Sequence, residues 1–122
     1  MTVTMAAHGL AWFAVVITAG IAATCIPDPR LGMRRLDHLV EALPNVMLGR
    51  YLAFTGFTAF VAILGDLRVM AGWAVALSFM AFADTVIYVR LGKPFVKHLM
   101  AGLAALAVLA VILAALISNG AV

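Results

Sequence analysis

The chain has 122 residues, 66% of them hydrophobic and 11% charged, with a mean hydropathy of +1.17. So little polar surface cannot clothe a soluble domain of this size, so the composition points to an integral membrane protein built as one domain over residues 1–122. The formal charge of +3 implies no nucleic-acid partner, because the basic residues fall where they act as topology signals.

The first apolar segment runs from about Gly9 to Ile26 and is stopped by Pro27-Asp28-Pro29. Met1-Thr2-Val3-Thr4-Met5 carries no basic n-region and no convincing cleavage site follows, so this span is expected to persist. Its lone Cys25 has no thiol partner for an internal disulfide, for disulfide exchange or for a zinc site. Between Met33 and Leu43, apolar Met33, Leu36, Leu39, Val40 and Leu43 recur at helical spacing while Arg34, Arg35, Asp37, His38 and Glu41 fill the other positions. That pattern predicts a short amphipathic helix on the cytoplasmic surface, closing the inner face against anionic lipid or acting as a lid over an inward cavity.

The second span is expected from about Met47 to Leu64 and the third from about Val69 to Val89. The connector Gly65-Asp66-Leu67-Arg68 is so short that these two form an antiparallel hairpin. Leu91-Gly92-Lys93-Pro94 then breaks the chain before a fourth span from about His98 to Ile117. The predicted fold is all-α: a four-helix transmembrane bundle with one interfacial helix between spans one and two.

Seven of the eight Lys and Arg residues lie in or beside two connections. Arg30, Arg34, Arg35 and Arg50 flank the first, Arg90, Lys93 and Lys97 flank the second, and Arg68 lies on the other side. The positive-inside rule makes both basic loops cytoplasmic and both termini outward in a plasma (inner) membrane. Small residues suggest where spans approach closely: Gly49, Ala53 and Gly56 on the second, Gly72 and Ala76 on the third, and Ala101, Gly102 and Ala105 on the fourth.

Asp84 is the only acidic residue inside any predicted span, and it precedes Arg90 by six residues, about 9 Å of helix rise. A carboxylate in hydrocarbon is costly unless it is paired or protonated, so it marks a functional site. Helical spacing aligns Trp73, Leu77, Ala81, Asp84 and Tyr88 on one face, and it turns His98 inward with Ala101, Gly102 and Ala105. Arg50, Asp84, Tyr88 and His98 fall at similar depth on three spans. Together they predict an inward-opening polar pocket for a ligand with a polar head and a greasy body. Each has a plainer reading: Arg50 snorkels, Tyr88 and His98 are interfacial, and Asp84 makes a structural ion pair. Thr55, Thr58 and Ser78 are expected to hydrogen-bond the preceding turn.

The stretch Ala83-Asp84-Thr85, followed by Gly92 and then Lys97-His98 at the head of an apolar helix, resembles a family of small four-helix integral membrane proteins known only as a domain of unknown function. Pro29-Arg30-Leu31-Gly32 and Gly56 are similar as well, and the likeness extends over most of the chain. Relatives of that kind commonly carry an arginine soon after the span-two glycine, where this chain has Phe57 and Thr58 and places Arg50 earlier. The resemblance implies the four-span topology and points to Asp84 and His98 without naming a reaction.

Three functional classes fit. The first is a protein that binds membrane lipid or another apolar small molecule at Arg50, Asp84, Tyr88 and His98, with a larger membrane complex or a second copy as partner. The second is a membrane enzyme of isomerase, cyclase or hydrolase type with Asp84 and His98 as acid and base. The third is a small proton-coupled transporter. No cofactor or metal site is expected. His8 lies on the outer side and His38 on the surface helix, which argues against a bis-histidine haem. Asp28, Asp37 and Glu41 match no metal motif, and Ser78 and Ser118 lack a nucleophile-elbow setting.

Overall fold

A computed structural model describes residues 16–20, 22–23, 25–36 and 39–119. Among them no strand occurs, and the elements are α1 (Pro29–Arg35), a 3₁₀ turn (Val40–Ala42), α2 (Leu43–Leu64), α3 (Leu67–Arg90) and α4 (Val96–Ser118). Residues 16–20 are also helical, inside the expected first span. The start of that span at Gly9, the segment Met1-Thr2-Val3-Thr4-Met5, and His8, Asp37 and His38 lie outside the described residues. Three segments, Val40–Leu64, Leu67–Arg90 and Val96–Ser118, are long and apolar enough to cross a membrane. The chain divides into two compact units, Met1–Arg50 and Tyr51–Val122.

In the first unit the expected amphipathic helix at 33–43 is replaced by an earlier, shorter one. Asp28 caps α1: its carboxylate accepts from the backbone N–H groups of Arg30 (2.9 Å) and Leu31 (3.2 Å). Pro29, which has no N–H to satisfy, takes the first helical position. A cap that strong starts the helix before the amphipathic repeat begins. The helix ends at Leu36, whose N–H is shared between the carbonyls of Gly32 (3.1 Å) and Met33 (3.2 Å). The chain resumes regular structure in the 3₁₀ turn and runs straight into α2, four residues before the expected start at Met47. Pro44 permits this because it falls in the first turn, where its missing N–H costs nothing.

The second unit holds residues 51–64 of α2 with α3 and α4. Gly65 adopts φ +67°, its N–H donates to the Val61 carbonyl at 3.2 Å, and Asp66 caps α3 through the N–H groups of Arg68 (2.8 Å) and Val69 (3.2 Å). The expected four-residue connector is thus two residues long, a left-handed glycine followed at once by a helix cap. At the other end of α3, Gly92 has φ +61°. Its N–H meets the Val89 carbonyl at 3.0 Å and the Lys93 N–H reaches back to the Tyr88 carbonyl at 2.9 Å. That pair of bonds is a Schellman motif, and it satisfies carbonyls that the helix end would otherwise leave open.

Helices α3 and α4 form an antiparallel hairpin. Ala74, Ile112 and Leu116 make its buried core, with Leu67, Met70 and Leu109 packed against them. On α4 the inward line is His98, Gly102, Ala105, Leu109, Ile112 and Leu116, a 4-3-4-3-4 spacing that keeps one face toward α3. Close approach uses Gly102 of the expected α4 stripe, but on α3 other small residues than expected. Ala74 and Ser78 are buried on α3 while Gly72 and Ala76 are exposed, and a β-carbon at Gly49, Gly56 or Gly72 would meet nothing within 4 Å. Thr55 and Ser78 donate to the preceding turn as expected, at 2.9 Å to Tyr51 O and 2.8 Å to Ala74 O. Thr58 differs, since its hydroxyl accepts a 3.0 Å hydrogen bond from the indole Nε1 of Trp73 and so ties α2 to α3.

Candidate functional site

The polar residues of interest on the hairpin lie beside its turn. Asp84 is six residues before the last residue of α3, and His98 is the third residue of α4. The capped turn at Gly92 and the Phe95 carbonyl, which accepts from the N–H groups of His98 (3.0 Å) and Leu99 (3.1 Å), set where α4 begins. Its periodicity then aims His98 at α3.

His98 Nδ1 lies 3.6 Å from Asp84 Oδ2, with the two side chains 31% and 50% exposed respectively. This is within ion-pair range and slightly long for a hydrogen bond. The Tyr88 ring, one turn after Asp84 on the same face, lies 4.5 Å from the His98 ring between centroids and is tilted by 41°. A tilted contact at that separation is a favourable aromatic geometry. The neighbouring Thr85 hydroxyl donates to the Ala81 carbonyl at 2.8 Å, so it is committed to its own helix.

The arrangement is anchored two residues before Asp84. Phe82 packs against Gly102, where a built β-carbon would lie 2.9 Å from the ring. Gly102 is one helical turn after His98, so this tight contact between the two helices is next to the polar one. No polar residue takes part in that packing, and only the presence of Gly102 on the His98 face signals it in the sequence.

Asp84, Tyr88 and His98 therefore come together, on two helices of one unit. Arg50, the fourth predicted member, is exposed on α2 within the first unit, and the cluster described here consists of the other three. Among the described residues, no three His, Cys, Asp or Glu side chains converge as a metal site would require. Chemically, the trio offers a carboxylate that accepts hydrogen bonds, an imidazole that donates or accepts, and a phenol that does both. All three are partly open on the flank of an otherwise apolar hairpin.

No protein-family model, characterised protein or solved structure matches this chain. The functional reading consequently rests on the geometry of the site.

Proposed function

We propose that this chain is a four-span bundle of the plasma (inner) membrane, with its basic loops cytoplasmic, and that it binds an apolar or lipid-like molecule through Asp84, His98 and Tyr88, as a single protein or as an accessory subunit of a larger membrane complex. One observation carries the reading: a carboxylate and an imidazole 3.6 Å apart and partly open, on two helices long and apolar enough to cross a membrane. A half-open ion pair facing acyl chains is costly, and a polar headgroup laid against it removes that cost. The apolar surface around it suits a hydrophobic body, as in pockets where a few polar groups orient a mostly greasy ligand. A hydroxyl, carbonyl or amide head matches the donors and acceptors on offer.

The test is mass spectrometry of small molecules retained by gently extracted protein, comparing the parent chain with Asp84→Asn and His98→Gln. A retained amphiphile that disappears in both variants, with expression and insertion intact, is the expected result. Identical small-molecule content in all three proteins would overturn the reading.

The same contact favours a second reading, in which Asp84 and His98 serve as acid and base toward a membrane-dissolved substrate. It predicts that a bound molecule is chemically altered on incubation with the parent chain and unaltered with Asp84→Asn.

A further inference from the structure

The first unit contains an open groove of about 590 Å³ lined by Arg30, Met33, Arg34, Val40 and Leu43. We propose that this groove is a binding site for the phosphate headgroup and upper acyl chain of an anionic phospholipid, independent of the Asp84 cluster. Arg30 and Arg34 are four residues apart on α1, so their guanidinium groups project from one face of that helix. Both are exposed. Their planar forks match the oxygens of a phosphate better than an ammonium group would.

Among the described residues, no ion pair joins either guanidinium to a carboxylate. The Asp28 carboxylate is turned to the helix N-terminus, where its Oδ1 accepts from the backbone N–H groups of Arg30 and Leu31. Glu41, in the 3₁₀ turn, is exposed and is not part of the lining.

The apolar part of the lining points to a lipid rather than a free phosphate as the occupant. Met33 and Leu43 are partly buried and Val40 is 68% exposed, so apolar surface lies directly beside the two cations. A small hydrated anion would leave that wall wet, whereas a diacyl lipid covers it with its glycerol and first methylenes. The groove volume falls in the range of small-molecule sites. Its position also fits, because only Pro27 and Asp28 separate α1 from the apolar segment that ends at Ile26. A helix at that point meets the headgroup layer, where clustered basic residues favour anionic lipids.

The experiment is native mass spectrometry of the full chain released from nanodiscs of equimolar dioleoyl phosphatidylglycerol and dioleoyl phosphatidylcholine. The parent chain is expected to retain phosphatidylglycerol preferentially, and Arg30→Gln/Arg34→Gln to lose that preference by roughly tenfold or more. A control with the same loss of charge, Arg90→Gln/Lys93→Gln, is expected to keep it. Val40→Asn, which removes no charge, is expected to weaken retention severalfold. Equal retention of the two lipids by the parent chain, an unaffected double variant, or an equal loss in the control would each overturn the site. So would an unaffected Val40→Asn, or inorganic phosphate alone displacing the lipid at millimolar concentration. If the double variant does not insert, Arg34→Gln alone reads the same effect at smaller size, and its retaining the full preference counts against the proposal.

Discussion

The Phe82 ring occupies the place that a side chain on Gly102 would need, with a built β-carbon only 2.9 Å from ring carbons Cε1 and Cζ. This contact seats a ring of α3 directly on the backbone of α4, one turn from His98. Alanine at this position would gain about 1 kcal/mol of helix propensity and lose a similar amount to displacement of the ring edge. Gly102→Ala is therefore expected to be near neutral. Gly102→Leu forces the helices apart and is expected to cost about 1–3 kcal/mol, read by thermal unfolding in detergent followed by circular dichroism. A Leu variant as stable as the parent would show that the helices do not meet there.

Gly65 and Gly92 hold φ values of +67° and +61°, and neither would crowd a β-carbon. Any cost of substitution is therefore conformational. Gly92→Val and Gly65→Val should each destabilise by about 1–2 kcal/mol, because a branched side chain pays the left-handed penalty in full. Asparagine, which tolerates that conformation, should cost distinctly less. Equal melting temperatures for the Val and Asn variants would contradict this account.

The Trp73 to Thr58 hydrogen bond at 3.0 Å joins α2 to α3. Hydrogen bonds between membrane helices average about 0.6 kcal/mol in double-mutant cycles. A cycle of Trp73→Phe and Thr58→Val is expected to return a coupling near that value in a reversible unfolding assay. A coupling of zero would mean that the indole N–H has an alternative partner.

For Asp84 and His98, Asp84→Asn and His98→Gln should be non-additive, with a coupling of about 0.5–1 kcal/mol in the same assay. Strict additivity would show that the two groups act separately in the folded chain.

Much of this architecture was legible from spacing. The hairpin turns follow from Gly65-Asp66 and from Gly92, where backbone geometry demands glycine. The inward line of α4 through His98 and Gly102 follows from helical periodicity. Less legible were features set by neighbours instead of by repeats. The earlier position of α1 depends on the Asp28 cap overriding the amphipathic pattern. The use of Ala74 and Ser78 in place of Gly72 and Ala76 depends on which way α3 is rotated, and an apolar helix with small residues all round does not specify that. Thr58 seemed destined for its own helix, since nothing local announces an indole fifteen residues further on.

Because Asp84 and His98 are joined through a single capped turn at Gly92, the acid and the imidazole meet with only thirteen residues between them. Contacts of such low sequence separation form early, as loop closure costs them little entropy. The pair can therefore assemble while the chain is still emerging during synthesis, as soon as the beginning of α4 is available. A polar centre built this way is complete within one chain and needs no second chain to bring its two groups together.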